Sequence, residues 1–151
     1  MTDPAARPPQ RRTTAWTALE AHAREGTLVL PRCSACGTVQ YPLRELCRHC
    51  LADALAWTEL PATGTLLSWT VLRSSLDGFF RAHLPWTVGL VKLDCGPVVM
   101  SHLFVPEPAS GTAVAITLHR DAASRLVFVT CLPDQDLAAD PRAKALLELE
   151  P

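Results

Sequence analysis

Cys33-Ser34-Ala35-Cys36 and Cys47-Arg48-His49-Cys50 put two CxxC turns into one chain, ten residues apart. No other feature restricts the fold as tightly. Two such turns can bring four thiolates to the corners of a tetrahedron, the geometry of a closed zinc site with all-sulfur ligation. Gly37, directly after the first pair, supplies the backbone freedom a tight ligand turn needs. Two other readings compete with zinc. A CxxC redox pair needs no second copy, and two disulfides need an oxidising compartment. His49 lies inside the second turn, but the four cysteines already complete a ligand set, so it is expected to be exposed on the knuckle. A closed site builds structure and leaves no open position for a substrate.

Composition favours metal over disulfides. The first twelve residues are rich in proline and arginine, have no apolar core, and do not read as a secretory signal. They are expected to form a disordered arm. Lys92 and Asp94 interrupt the most apolar run, so no bilayer span is expected. Six cysteines without a signal segment point to metal binding and a cytoplasmic location. The formal net charge is -1 with every thiol counted neutral. Four thiolates around one Zn²⁺ make the folded chain more negative by about two charges. That is a poor starting point for binding nucleic acid.

Five regions follow from the patterning. After the arm (1–12), a helix is predicted over 13–26, capped by Thr13 or Thr14, with Trp16, Leu19 and Ala23 on one face and Gly26 at its end. That face either packs on its own domain or, through Trp16 and Leu19, docks on another protein. A zinc ribbon is predicted over 27–60. Its strands are Thr27–Arg32 and a returning Thr38–Pro42, with Leu55 and Trp57 placed to cover the metal. From 61 to 133 the texture is β. Thr65–Leu72, Val88–Leu93, Val98–Phe104, Val114–Leu118 and Leu126–Thr130 make five short strands, and Asp94-Cys95-Gly96-Pro97 makes a hairpin turn. Five strands of this length fit a small barrel of the OB type. An acidic tail over 134–151 is expected to hold a short helix from Pro141 to Leu149. The fold class is mainly β within α+β.

This order of parts resembles the family of zinc-ribbon (rubredoxin-like) plus OB-fold acyl-CoA-associated proteins. The resemblance spans about residues 14–133. It rests on Cys33, Cys36, Gly37, Cys47 and Cys50, then on Gly64-Thr65-Leu66-Leu67-Ser68-Trp69-Thr70-Val71 and the segment Pro85 to Asp94. Gly96, Gly111 and Phe128 with Pro133 are further marks. Cys95 departs from the usual turn residue, and the acidic tail exceeds the family core. The resemblance implies a small non-catalytic accessory subunit that binds or shields an acyl-CoA thioester. The partner, a thiolase-superfamily enzyme of thiolase, acyltransferase or steroid side-chain aldolase type, would supply the nucleophile. It implies a hetero-oligomer, with a hydratase as a further candidate partner, and a place in lipid metabolism.

The residues themselves offer little independent catalysis. Cys95 lies beside Asp94, whose charge disfavours a thiolate, and Cys131 has no base adjacent in sequence. His22, His83, His102 and His119 are scattered, and no phosphate loop or Ser-His-Asp signature is present. Nucleic acid is the alternative ligand, since OB-folds stack bases on aromatics, here Trp69, Phe79, Phe80 and Trp86. The near balance of charge argues against it. A purely structural bridge between enzymes is a third reading. For acyl-CoA, the segment from Arg73 to Trp86 joins Arg73 and Arg81 with Phe79, Phe80 and Trp86 in the longest connection of the barrel. These five residues, with Arg44 as a further phosphate candidate, are the expected CoA-facing or partner-facing surface. For each aromatic taken singly, plugging one end of the barrel is the competing role.

Overall fold

The computed structural model describes residues 14–149, with side chains from Trp16 onward. The arm and the Thr13 cap therefore lie outside the described residues. Helix α1 (Thr14–His22) leads into strand β1 (Leu28–Cys33), which pairs antiparallel with β2 (Leu55–Leu60). Between them run both cysteine turns. The partner of β1 is thus not the segment Thr38–Pro42, which contributes only an isolated bridge, Arg32 to Val39. Pro42 has no N–H to give a ladder, whereas Leu55–Leu60 supplies six consecutive partners.

Strands β3 (Thr63–Leu72), β4 (Trp86–Leu93), β5 (Val98–Leu103), β6 (Ala113–Arg120) and β7 (Leu126–Cys131) close a barrel in the order β3-β4-β5-β7-β6. All neighbours are antiparallel except β5 and β7. Closure depends on β3. It pairs with β4 along its length, and through Thr63–Thr65 it also pairs with β6. Gly64 sits at that junction, opposite both Leu93 and Val114. A Cβ there would lie 2.6 Å from the Lys92 carbonyl oxygen, so only glycine lets the strands approach this closely. Beyond a bulge between Leu66 and Ser68, β3 pairs among the described residues with β4 alone and becomes an edge.

The ribbon and barrel share one core. Leu28 and Leu30 of β1 and Trp16 and Leu19 of α1 join Leu66, Val91 and Ile116 of the barrel. Phe128 binds the three parts together, meeting Trp16 edge-on at 6.1 Å and Tyr41 edge-on at 5.3 Å. The connection after α1 is stitched to β6, with the Gly26 N–H donating to the Leu118 carbonyl and the Leu118 N–H to that of Thr27. Gly26 takes φ +75°, as a turn out of a helix requires.

A second apolar layer lies outside the barrel. The short helix α2 (Gly78–Ala82) and helix α3 (Pro141–Leu147) cover Trp86, Phe104, Val127 and Val129. This leaves β7 buried on both faces, which explains its unbroken run Leu126-Val127-Phe128-Val129. Helix α3 is well delimited. Asp140 caps it by accepting from the Arg142 N–H, Pro141 stands at its first position, and Glu148 ends it in the left-handed region. Ala143, Leu146 and Leu147 are buried, so the C-terminal segment is part of the fold.

Candidate metal centre

The four thiols converge. Sγ of Cys33 lies 3.6 Å from that of Cys50, Cys36 lies 3.6 Å from Cys47, and all four sulfurs fall within 4.8 Å of one another. A tetrahedron with metal–sulfur arms of about 2.3 Å has edges of about 3.8 Å. The donor set therefore fits one zinc ion, with Cys33 and Cys47 buried and Cys36 and Cys50 exposed. Bound there, zinc would crosslink two distant turns of the ribbon, with all four ligands supplied by the chain.

The two turns repeat one backbone design. The N–H of Cys33 donates to Thr38 and that of Gly37 back to Cys33; the N–H of Cys47 donates to Ala52 and that of Leu51 back to Cys47. Both closing residues take positive φ, +78° at Gly37 and 61° at Leu51. Sequence inspection identifies the first because it is glycine and misses the second because it is leucine.

Hydrogen bonding divides the thiols. The side-chain and backbone bonds to Thr38 lower the Cys36 thiol to about 5. The backbone N–H groups of Cys50 and His49 lower that of Cys47. At Cys50 the N–H of Ala52 favours the thiolate, but the Cys36 thiol, burial and the Cys33 thiol outweigh it, and the group rises to about 12. Four sulfurs this close do not all ionise without a cation between them. His49 is exposed and outside the cluster.

Two family models match this chain. One is described as "ChsH2, rubredoxin-like zinc ribbon domain" over residues 21–56, the other as "ChsH2, C-terminal OB-fold domain" over residues 57–128. The chain belongs to this family. Among solved structures it is similar to a chain of the "Ltp2-ChsH2(DUF35) aldolase", with a TM-score of 0.65 and 25% identity over 83% of this chain and 98% of that one. A DUF35-family protein of unknown function from Sulfolobus solfataricus has the same fold, at a TM-score of 0.51 and 14% identity. Among curated proteins, a "DUF35 domain-containing scaffold protein" of Pyrococcus furiosus is 31% identical over 48% of this chain and 52% of its own length. A "Probable enoyl-CoA hydratase alpha subunit" of Thermomonospora curvata is 31% identical over 54% of this chain and 25% of its own length. The chain thus spans about half of one curated relative and a quarter of the other.

In this ChsH2-family chain the other candidate residues do not form one surface. Trp16 and Leu19, offered as a docking face, are 6% and 0% exposed in the shared core. Of the two roles open to this face, packing on its own domain is the one these positions show. Phe79 and Trp86 are likewise buried in the layer beneath α3, their rings 6.0 Å apart, so at these two positions packing prevails over ligand contact. Phe80 is half-buried, edge-on to Trp86 and stacked on His102 at 5.8 Å. Arg73 and Arg81 are exposed. Trp57 pairs with Pro31 and stacks on His22 at 4.9 Å, facing α1 where a cover over the metal was expected.

Arg44 stands elsewhere, at the rim of two hollows in the ribbon. One, of about 480 Å³, has Pro31, Leu43, Leu55 and Trp57 among its lining residues, and the other, of about 740 Å³, also borders Arg48, Leu46 and Leu51. Cys131 is buried and Cys95 half-buried, and burial raises both thiols above their ordinary value. Neither meets the requirement for an activated nucleophile. No helix among the described residues is long and apolar enough to cross a membrane.

One surface escaped the sequence reading. From Leu67 to Leu72 every residue of β3 is exposed, with Trp69 at 40%, and Leu90 and Met100, in register with Ser68 on β4 and β5, are exposed as well. The signal was present: Gly64 to Leu72 holds no charged residue. Natural sheet edges normally carry charge or proline against unwanted pairing.

Proposed function

We propose that this chain is a non-catalytic accessory subunit that associates with a thiolase-superfamily enzyme and helps hold its acyl-CoA substrate. The observation that carries this reading is the likeness to nearly the whole of one chain of the "Ltp2-ChsH2(DUF35) aldolase". The names of the curated relatives, a scaffold protein and a hydratase subunit, support the same class of role. The uncharged β3 edge, Ser68–Leu72, is the surface assigned to the partner. A free strand edge bearing Trp69 and Val71 suits pairing with an extended segment of another protein and suits a phosphate backbone poorly.

For acyl-CoA, the support lies with Arg44. It combines a cation with a groove whose apolar lining includes Leu43, Leu55 and Trp57, the mixture that nucleotide phosphates and a pantetheine arm require, while Glu45 and Asp53 also border it. Arg73 and Arg81 remain candidates on charge and exposure alone. The test is co-expression with a thiolase-like enzyme followed by size-exclusion chromatography and titration with an acyl-CoA. Trp69→Lys is expected to prevent co-elution without changing zinc content, and Arg44→Ala to weaken acyl-CoA binding. If the parent chain neither co-elutes nor binds acyl-CoA, the reading fails. Steeply salt-dependent binding to single strands would replace it with the nucleic-acid alternative.

A further inference from the structure

Gln40 lies in the linker between the two cysteine turns and is completely buried, although it is polar. Its backbone N–H donates to the Pro31 carbonyl at 3.1 Å, which fastens it to β1. Its side chain reaches the other way. Oε1 accepts the Arg48 N–H at 2.9 Å, while Nε2 donates to the Leu46 carbonyl at 3.1 Å and, at 3.5 Å, to that of Arg44. Leu46 and Arg48 are the residues on either side of Cys47, so one amide brackets a metal ligand.

The two turns differ in how they are supported. Cys33 is the last residue of β1, and the Ser34 N–H donates to Ala54, immediately before β2, so the sheet holds the first turn. The second turn belongs to no strand. Its own bonds, Cys47 to Ala52 and Leu51 to Cys47, close it only on itself. The Gln40 amide links it to the half of the ribbon that the sheet fixes.

We propose that Gln40 is the positioning residue of the metal site: it holds the Cys47–Cys50 turn in register with Cys33–Cys36 before an ion arrives, and so sets how tightly zinc is held. The task needs an acceptor and donors on one planar group at this reach, which glutamine provides. Groups that orient ligands in this way govern affinity without touching the metal.

Zinc affinity and release are measured on the full chain by competition with a colorimetric chelator, and ligand geometry by the visible spectrum of the cobalt(II)-substituted protein. Gln40→Leu keeps the bulk and removes all three side-chain bonds. It is expected to weaken zinc binding about 10–100-fold, speed release and alter the cobalt bands. Gln40→Glu keeps an acceptor for Arg48 but no donor for Leu46, and should fall between Gln40→Leu and the parent. Amide exchange on the unaltered protein decides the matter even if Gln40→Leu does not fold. The Arg48 N–H is expected to be protected with zinc bound and, to a lesser degree, after zinc is removed. Parent-like affinity with an unchanged cobalt spectrum in Gln40→Leu would overturn the proposal, as would free-peptide exchange at Arg48 in the loaded parent.

Discussion

Gly64→Ala tests how the barrel closes. The added methyl would lie 2.6 Å from the Lys92 carbonyl oxygen and 2.8 Å from Val91 Cγ1, and the first is backbone. Ordinary contact begins at 3.4 Å, so β3 and β4 would have to part locally by about 0.8 Å. Parting is resisted from both sides, because the same residue pairs with Leu93 of β4 and Val114 of β6. Overpacking of this kind costs about 1–3 kcal/mol, and a weakened ladder bond adds about 0.5–1.5 kcal/mol. Alanine restricts the unfolded chain and returns about 0.4–1 kcal/mol. The net loss is therefore about 0.5–4 kcal/mol, centred near 2, and the central value corresponds to a drop in Tm of roughly 4–8 °C for a chain of this size. Gly89→Ala is the matched comparison. There the nearest atom is Leu66 Cδ1 at 2.9 Å, the end of a side chain that can turn aside. Thermal melts of the zinc-loaded proteins by circular dichroism should rank Gly64→Ala well below Gly89→Ala. A Gly64→Ala melt within about 1 °C of the parent, or a larger loss at Gly89, would refute the closure argument.

Two further perturbations follow from local geometry and titration. Leu51 is 73% exposed with φ 61°, a conformation that costs an L-residue about 1–2 kcal/mol. After the entropy glycine itself loses on folding, about 0.5–1 kcal/mol, Leu51→Gly should stabilise the zinc-loaded protein by about 0–1.5 kcal/mol, centred near 0.8, read as a higher urea midpoint; a lower midpoint would contradict this. Burial lowers the His119 pKa, opposed by Glu25, so the native state resists a proton that the unfolded chain accepts near 6.5. Its contribution to stability is present above that value and is lost as pH falls from there toward the folded pKa. Between pH 7.5 and 5.5 the parent should lose more stability than His119→Gln. The difference between the two proteins cancels the acid sensitivity of the thiolates, and equal losses would remove His119 from the account.

Spacing and periodicity made the scaffold legible, and its polar and edge chemistry stayed hidden. The paired CxxC turns announced a four-thiol cluster because ligand geometry tolerates few spacings, and runs of strand-forming residues marked all five barrel strands. What the sequence could not reveal was which way ambiguous side chains point. Trp16 suited a partner or a core, and Phe79 and Trp86 a ligand, a partner or a plug in the barrel, since a large ring near a loop has no period of its own. Their burial became visible only once α1 and α3 were seen lying on the barrel. Gln40 was obscure for the opposite reason. A neutral polar residue beside a turn is ordinarily solvated, and nothing in Thr38-Val39-Gln40-Tyr41-Pro42 shows that its amide meets backbone groups around Cys47. The β3 edge was obscured by its own regularity, because Gly64–Leu72 reads as a good strand whether or not anything pairs with its far side. A missing charge is weaker as a signal than a present one, yet on an edge it is informative. Five exposed residues without a gatekeeper, Ser68–Leu72, leave an exposed pairing template, which a stable monomer would ordinarily block. Trp69→Lys supplies the missing charge on that edge, and the accessory-subunit reading requires it to separate complex formation from zinc content.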